Sequence, residues 1–281
     1  MCTVSVIALR RGFRLVSNRD EQHSRPESAA PAWRSMPPAA GFGKAMGEGG
    51  GLRAIWPADL RADGSEGGTW IGASERGMAL TLLNYNLTPA PTLPVEPRSR
   101  GDLIPSLLHL NSAHAVAAAL HEADLSAFAP FRLIAVERPT PEEAVLVAEV
   151  RWNRSTVSSA WHRAPVCFAS SGLGDHLVDV RLPLFERIVA SEIDRIHEGD
   201  PDGGGDAGRD ALAAIQDAFH AHAWPERRHV SVMMHRDAAR TVSTTSVEVV
   251  RDGWTGRAKV RMDFTPVPVE AAANQVGAAS E

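Results

Sequence analysis

The order of the predicted elements indicates an α+β fold in which helices pack outside two β-sheets. Strand-like segments dominate the first 90 residues, helical blocks occupy the middle of the chain, and strand-like segments end it. Because each sheet must bury an apolar face against another layer, this order favours a sandwich of two sheets covered by helices. We expect a single domain over residues 1–265. Residues 266–281, rich in Pro, Ala and polar residues, are expected to form a disordered tail.

The chain begins with a predicted β-hairpin. Residues 3–9 are apolar or β-branched on both faces, which is typical of a buried central strand. Residues 10–12, Arg-Arg-Gly, indicate a turn, and residues 13–17 form the second strand. The hairpin therefore brings the residues that follow position 17 back towards the start of the chain.

The later elements follow from apolar periodicity and from Gly and Pro turn signals. A helix with one apolar stripe is predicted over residues 182–197, and a hairpin through Pro139-Thr140-Pro141 joins two strands. The full set comprises helices at 102–110, 112–120, 182–197 and 210–221, and strands at 131–137, 144–152, 166–169, 230–234, 241–250 and 258–264.

Cys2 is the most informative residue, because it directly follows the initiator Met1. Cysteine is small enough for an aminopeptidase to remove Met1, and the mature chain would then begin with both a thiol and a free α-amine. The thiolate is the nucleophilic form of cysteine, and an α-amine with a pKa of roughly 7.7–8.0 can act as its base. The alternative is that a small residue occupies position 2 by chance.

A polar cluster, Asn18-Arg19-Asp20-Glu21, is predicted to lie beside Cys2. With a three-residue turn Cys2 falls opposite Asp20, and with a two-residue turn opposite Glu21. Cross-strand partners have Cβ atoms about 4.5–5.5 Å apart, so either register brings the cluster to the thiol. Arg19 can favour the thiolate, and a carboxylate can orient the α-ammonium group. A solvated strand end is the alternative interpretation.

Several segments resemble the NRDE family, also called the transport and Golgi organisation 2 family. In order and spacing, the matching residues are Cys2, Asn18–Glu21, Arg25-Pro26, the segment Gly67-Gly68-Thr69-Trp70-Ile71-Gly72 and the strand Glu75–Asn84. A looser resemblance continues over residues 229–250. Gly67-Gly68-Thr69 predicts a tight turn that brings Trp70 under Cys2, where Trp70 serves either as a pocket wall or as part of the core.

The family is similar in turn to the N-terminal-nucleophile hydrolases, particularly choloylglycine hydrolases and penicillin acylases. This resemblance implies a four-layer αββα sandwich with Cys2 as nucleophile, Asp20 as the carboxylate that holds the α-amine, and Asn84 as an amide donor to the oxyanion. Asn18, Arg19, Glu21 and Trp70 are the supporting residues. The sequence departs from those enzymes at two places: Ser17 replaces an arginine, and Ser170-Ser171 replaces a Thr-Asn pair. A hydroxyl or backbone N–H near Ser171 would then replace the asparagine amide as the second donor to the oxyanion.

Composition and motifs argue against several other functions. The net charge of −5 without blocks of like charge disfavours nucleic acid as a partner. No apolar run approaches the roughly 18 residues of a membrane span, and no signal peptide is visible, so we expect a cytoplasmic protein. The two cysteines, Cys2 and Cys167, do not make a disulfide framework, and Cys167 is predicted to be an unreactive core thiol. Zinc motifs are absent from the sequence, so no metal site is predicted.

Two functions remain open from the sequence. The first is hydrolysis or acyl transfer from an amide or thioester through Cys2, with no required cofactor. The second is a non-catalytic protein that binds or traffics haem or an acyl lipid, since the family is linked with haem trafficking and with lipid or acyl-CoA homeostasis. Any haem would be non-covalent, because no Cys-x-x-Cys-His attachment site occurs. Neither the substrate nor the oligomeric state follows from the sequence.

Overall fold

Two antiparallel β-sheets form the centre of the computed structural model, which describes residues 2–36, 51–199 and 206–268. The strands are β1 Cys2–Leu9, β2 Gly12–Gln22, β3 Ser28–Ser35, β4 Arg53–Asp59, β5 Ile71–Ser74, β6 Ala79–Asn84, β7 Phe131–Glu137, β8 Leu146–Trp152, β9 Val157–Arg163, β10 Val166–Ser170, β11 Ala239–Arg251 and β12 Ala258–Pro266. Sheet A has the order β10-β1-β2-β11-β12, and sheet B runs from β3 to β9 in chain order.

The β1–β2 hairpin has the two-residue turn, one of the two predicted lengths, but the partner predicted for Cys2 with that turn was wrong by two residues. Leu9 pairs with Gly12, and Cys2 therefore lies opposite Arg19, not opposite Asp20 or Glu21. Gly12 belongs to the strand because it lies against β11, where an added Cβ would sit 1.7 Å from the carbonyl oxygen of Val249. Only glycine permits so close a backbone approach, and this fixes the turn at two residues.

The helices cover the outer faces of the two sheets. They are α1 Leu103–Leu107, α2 Ala113–Glu122, α3 Arg181–Phe185, α4 Ser191–Gly199 and α5 Asp206–His220, with a π-helical turn, Glu186–Ala190, joining α3 to α4. The first two helices pack on sheet B through residues such as Ile104 and Leu120. The last three pack on sheet A, where Phe185 and Phe219 meet Ile7.

A third apolar cluster fills the space between the sheets. Val4 and Leu15 of sheet A pack there against Ile71 and Val136 of sheet B. With one helical layer outside each sheet, the order of layers is α, β, β, α. The structure therefore confirms the predicted four-layer α+β sandwich.

Most predicted elements lie within a few residues of the observed ones, and one predicted strand was wrong. The expected strand over residues 230–234 is instead a 3₁₀ turn, Arg228–Val230, followed by irregular backbone. This segment leads from α5 to β11, and backbone groups such as the Met233 N–H bond to the preceding loop instead of to a neighbouring strand. Residues 269–281 of the predicted tail lie outside the described residues, and the single domain stays a prediction. None of the helices in the described ranges combines the length and the hydrophobicity that a membrane-spanning segment needs.

Candidate active site

Cys2 is the first residue of β1 and is held between two strands. It pairs with Ser170 of β10 on one side and with Arg19 of β2 on the other. Residues directly opposite one another in a sheet project to the same face, so the Cys2 thiol shares its face with the Arg19 side chain. That face looks towards sheet B, where Cys2 joins the apolar cluster between the sheets. Local pairing thus fixes the position of the thiol.

A pocket of about 270 Å³ opens at Cys2 and brings together five of the eight predicted site residues. We call it the Cys2 pocket, and these five residues in its lining are Cys2, Arg19, Glu21, Trp70 and Asn84. They come from β1, from β2, from the segment before β5 and from the end of β6. The fold therefore assembles the predicted nucleophile and the predicted oxyanion donor around one space.

Asn84 ends strand β6 and is half-buried at the pocket. Its backbone pairs with Phe131 of β7, which fixes where the side chain begins. Among the residues that the structure describes, no partner is hydrogen-bonded to its side-chain amide. A primary amide has two N–H donors, so Asn84 can donate to an oxygen of a molecule bound beside Cys2.

The environment of Cys2 favours the neutral thiol. Burial raises the pKa of the Cys2 thiol above its ordinary value, and the negative charges of Asp20 and Glu21 add to this effect. The backbone amide of Asp20 acts in the opposite direction. Arg19 was predicted to favour the thiolate, but its guanidinium is bound to Asp59 at 2.7 Å and the pKa of Cys2 is raised. Cys2 therefore needs a base to become a nucleophile near neutral pH.

Asp20 is buried beside Cys2 on the opposite, helix-covered face of sheet A. Its Oδ1 accepts a hydrogen bond from the Thr241 hydroxyl at 2.6 Å, and its Oδ2 lies 3.9 Å from Nη1 of Arg181. Burial raises the pKa of the Asp20 carboxyl, while the Arg181 charge lowers it. Position 20 alternates with position 19, so the carboxylate cannot lie in the Cys2 pocket itself. It can still orient a group on the backbone side of Cys2.

Arg181 is a buried component of this arrangement that the sequence analysis missed. It donates from Nε to the Val230 carbonyl oxygen at 3.0 Å and from Nη1 to the Thr3 hydroxyl at 2.6 Å. Burial lowers the pKa of its guanidinium, and the Asp20 charge opposes that shift. A buried charge needs a counter-charge, so Arg181 and Asp20 stabilise each other under α3.

Trp70 forms part of the wall of the Cys2 pocket and is also part of the core between the sheets. The turn before it depends on Gly68, because an added Cβ there would lie 2.4 Å from the backbone of Gly101. The Thr69 N–H donates to the Gly101 carbonyl oxygen at 3.0 Å. The Gly-Gly-Thr-Trp segment thus positions Trp70 and also contacts the loop around Gly101.

That loop brings Arg100 to the pocket, a residue that the sequence analysis left outside the predicted site. Its Nη1 donates to the Pro130 carbonyl oxygen at 2.9 Å, and its side chain lines the Cys2 pocket. Burial lowers the pKa of Arg100, whereas Cys2 and Glu21 raise it, so its charge is close to both groups. No local pattern marks Arg100, because its position depends on the contact between Gly68 and Gly101.

Asn18 lies outside the Cys2 pocket, on the helix-covered face of sheet A. Its Nδ2 donates to the carbonyl oxygens of His220 and Val232, so its Oδ1 is the acceptor for Nδ1 of His220 at 2.9 Å. His220 Nε2 then accepts from the Ser5 hydroxyl at 2.7 Å. This Ser–His–Asn chain is fully enclosed. It fastens α5 to sheet A and has no access to substrate.

Ser171 follows β10 and also lies outside the lining of the Cys2 pocket. Its hydroxyl accepts hydrogen bonds from the Leu173 N–H and from Nη2 of Arg236. Ser170, directly paired with Cys2, has a buried hydroxyl without a partner among the described residues. Of the two serines, Ser170 is thus the nearer to Cys2 in the sheet.

The described part of the site offers little to a metal or a haem group. Within the described ranges, no three His, Cys, Asp or Glu side chains are grouped so as to hold a metal ion. The described lining of the Cys2 pocket contains neither histidine nor methionine. In that described lining, Cys2 is the side chain that could ligate iron, as a thiolate.

Comparison with known proteins gives two results at the level of sequence. The sequence profile of a family described as Transport and Golgi organisation 2 matches residues 1–174. Two curated relatives, each called Transport and Golgi organization protein 2 homolog, come from Homo sapiens and Bos taurus. Each is 34% identical over 94 residues, which cover 34% of this chain and 27% of the relative. The match thus spans about a quarter of the length of these relatives.

Solved structures show the same fold at much lower identity. One crystal structure of a mutant conjugated bile acid hydrolase from Clostridium perfringens has a TM-score of 0.53 and 9% identity, with 95% of this chain and 97% of that chain covered. A second variant of the same hydrolase gives a TM-score of 0.52, also at 9% identity and with the same coverage. At this identity the likeness concerns the fold alone, and it agrees with the expected N-terminal-nucleophile hydrolase type.

Proposed function

The chain belongs to the Transport and Golgi organisation 2 family, and from that premise we propose that it is an N-terminal-cysteine acyl transferase or hydrolase. Its substrate is an amide or thioester, and the acceptor of the acyl group is water or an amine. The observation that carries the proposal is the shared pocket of Cys2 and Asn84, with the Asp20 carboxylate behind Cys2.

The first half of the reaction forms an acyl-enzyme. Sγ of Cys2 attacks the carbonyl carbon while the α-amine of Cys2 takes the thiol proton. The carbonyl oxygen becomes an oxyanion, to which Nδ2 of Asn84 donates a hydrogen bond. When the C–N or C–S bond of the substrate breaks, the proton passes from the α-ammonium group to the departing amine or thiolate.

The second half regenerates the thiol. Water or an amine attacks the thioester carbon, and the α-amine accepts the proton that the nucleophile loses. The C–S bond to Cys2 breaks, and Sγ regains a proton from the α-ammonium group. Burial raises the pKa of the Cys2 thiol, so Sγ holds its proton between reactions and gives it up only when the α-amine is positioned to accept it.

Two arginines lie near the negative charge that develops at Cys2 during the reaction. Arg100 lines the Cys2 pocket, and its charge is close enough to Cys2 for a thiolate there to raise the pKa of Arg100. By the same interaction the Arg100 charge stabilises a thiolate or oxyanion at Cys2. Arg19, in contrast, is balanced by Asp59 and contributes less net charge.

The experiment that tests the proposal is a panel of acyl amides and acyl thioesters of varied chain length. Wild-type protein should release the amine or thiol, and intact mass should show an acyl adduct that peptide mapping assigns to Cys2. Cys2→Ala should abolish both signals, whereas Cys167→Ala, the matched control for the second thiol, should keep them. Turnover that survives Cys2→Ala would contradict the proposal and leave non-catalytic acyl-lipid binding as the function to examine.

The α-amine acts as base only if Cys2 is the first residue of the mature chain. Met1 lies outside the described residues, so the test is the mass of protein purified from its native host. The expected mass is that of the chain without Met1. A fully retained Met1 would exclude the amine as base, while Cys2 could still bind a ligand.

A further inference from the structure

We propose that a second cavity beside the Cys2 pocket binds an oxyanion group of the substrate, a carboxylate or a phosphate, through Arg240 and Ser243. The inference rests on the proposed function, because it assigns the far end of the acyl substrate to this cavity. It adds a substrate class, namely amides or thioesters that carry a negative charge away from the scissile bond.

The second cavity measures about 380 Å³ and adjoins the Cys2 pocket. It lies between the end of β2 and the adjacent ends of β11 and β12. Arg19, Glu21 and Arg25 line both spaces, so they form the boundary between them. A substrate that reaches from one to the other passes over these side chains.

Arg240 provides the positive charge of the second cavity. Its Nη1 donates to the carbonyl oxygens of Thr241 and Val267, at 3.2 and 2.6 Å. In the ranges that the structure describes, no carboxylate forms an ion pair with it. The other arginines of the lining, Arg19 and Arg25, are both bound to Asp59 at 2.7 Å. Arg240 can therefore attract a negative group of a ligand.

Ser243 provides a neutral donor inside the same cavity. Only 2% of the residue is exposed, and its hydroxyl has no hydrogen-bond partner among the described residues. A β-bulge between Thr241 and Ser243 sets the direction of this side chain. A buried hydroxyl without a partner is unfavourable, and an acceptor atom of a ligand would satisfy it.

The charge on the boundary does not repel an anion strongly. The Glu21 carboxylate lies 3.5 Å from Arg19 and 3.3 Å from Arg25. Glu27 also lines the cavity, but it is exposed to solvent and so screened. Glu21 is also the cross-strand partner of Arg240, but its carboxylate forms its ion pairs with Arg19 and Arg25 among the described residues, so Arg240 and Ser243 keep donors for an anion.

The register of sheet A sets the size of the substrate. Cys2 pairs with Arg19, and Arg19 pairs with Ser243, so these three residues lie on adjacent strands in one row. Neighbouring strands are about 4.7–4.9 Å apart, which puts Ser243 about 10 Å from Cys2. The substrate should carry its negative group at roughly that distance from the reacting carbonyl carbon.

The test begins with binding, which is independent of catalysis. Sodium phosphate and sodium acetate are titrated into the full chain at constant ionic strength, and the melting temperature is followed. The two salts distinguish the two sources of the oxyanion. The Cys2→Ala variant should be stabilised like wild type, whereas Arg240→Gln and Ser243→Ala should bind the anion about tenfold more weakly, as expected for the loss of one charge-assisted or buried hydrogen bond.

Two controls keep the outcome clear. Arg10→Gln removes the same charge from the exposed hairpin turn at the other end of β1, and it should bind the anion like wild type. Ser243→Ala deletes a hydroxyl without a partner among the described residues, so without added anion its melting temperature should be equal to or above that of wild type. Equal anion stabilisation in wild type, Arg240→Gln and Ser243→Ala would overturn the proposal.

An activity arm separates this inference from the proposed function. For a substrate with a carboxylate about 10 Å from the carbonyl, Ser243→Ala should raise KM about tenfold with little change in kcat. For the matched neutral substrate, Ser243→Ala should have no effect. If anion binding follows Arg240 and Ser243 but no Cys2-dependent turnover exists, the proposed function fails and the anion site stands. If turnover of the carboxylate-bearing substrate depends on Cys2 but its KM does not change in Ser243→Ala, the assignment of the anion site to the substrate fails alone.

Discussion

The guanidinium group of Arg19 lies over the ring of Trp70, with its central carbon 4.3 Å from the ring centroid. The same group is bound to Asp59 at 2.7 Å and to the Ser28 hydroxyl at 3.0 Å. Only 4% of the Arg19 side chain is exposed. These contacts use both the planar face and the N–H edge of the guanidinium. Arg19 therefore joins sheet A to sheet B, and it also stands between the Cys2 pocket and the second cavity.

Arg19→Lys should therefore lower stability more than it changes the thiol. Lysine keeps the charge but loses the planar stacking and the forked donors, so the free energy of unfolding should fall by about 1–3 kcal/mol. The pH dependence of Cys2 alkylation should hardly move, because burial is the main cause of the raised pKa. Urea unfolding measures the first effect and iodoacetamide kinetics the second.

Arg10→Lys is the matched control, since Arg10 is exposed in the hairpin turn. It should leave both measurements unchanged. A large fall in the Cys2 pKa in Arg19→Lys, with stability intact, would contradict the structural role given to Arg19.

The two thiols should differ in reactivity towards iodoacetamide. Burial raises the pKa of Cys167 to about 12, and the pKa of Cys2 is raised as well. Cys167 is only partly buried and Cys2 is buried, but Cys2 lines a pocket that a small reagent can enter, whereas Cys167 packs against the cluster under α3 and α5. Cys2 should react faster, and its rate should rise with pH beyond the ordinary thiol range, because a raised pKa shifts thiolate formation upward.

Peptide mapping after timed alkylation at several pH values checks this prediction. Cys2→Ala should remove the faster phase and Cys167→Ala should leave it. Equal rates for the two thiols in the folded chain would remove the case for an accessible Cys2.

The sequence predicted the local part of the site and missed the parts that depend on distant contacts. The hairpin brings residues 18–21 beside Cys2 whatever the register, so that prediction needed only turn signals. The three-residue turn was wrong because Gly12 looks like a turn residue until β11 lies against it, and the two-residue turn was right in length but pairs Cys2 with Arg19 instead of Glu21. Arg100 and Arg181 were missed for the same reason, since each reaches the site through contacts with segments far away in sequence.

The polar cluster illustrates the same limit within four residues. Alternation along β2 sends Arg19 to the Cys2 pocket and Asn18 and Asp20 to the opposite face. The sequence places all of them beside Cys2, but only the partners on each face assign their roles. Asn18 holds α5, whereas Asp20 is bound to Thr241 close to Arg181.

Asn84→Ala should reduce turnover of a substrate processed by Cys2. If its amide donates to the oxyanion, kcat should fall by about 10²–10³-fold. Because no described residue bonds to that amide, the stability of the fold should hardly change. The readouts are steady-state kinetics and urea unfolding of the same preparation.

Asn86→Ala is a matched control for this residue type. The Asn86 amide donates to Oδ1 of Asp175 at 2.9 Å and is thus already used within the fold. Its loss should affect stability more than kcat. If Asn84→Ala keeps the wild-type kcat, the oxyanion donor must be sought elsewhere.

His220 should make the protein sensitive to acid. Burial lowers the pKa of His220 to about 3, whereas an unfolded histidine titrates near 6.5. Between those values the unfolded state binds the proton and the folded state does not, so the free energy of unfolding falls as pH drops from about 6.5 towards 3. The total loss should be a few kcal/mol, and urea unfolding at stepped pH measures it.

Two variants show whether this slope belongs to His220. His220→Gln should be less stable at neutral pH, because it cannot keep both hydrogen bonds, to Ser5 and to Asn18, but its stability should depend less on pH in the acid range. His176→Gln, a change at an exposed position, should keep the wild-type slope. NMR titration of the His220 ring gives its protonation directly. A ring that gains its proton near pH ~6 in the folded chain, close to the ordinary histidine pKa, would contradict the enclosed Ser–His–Asn chain.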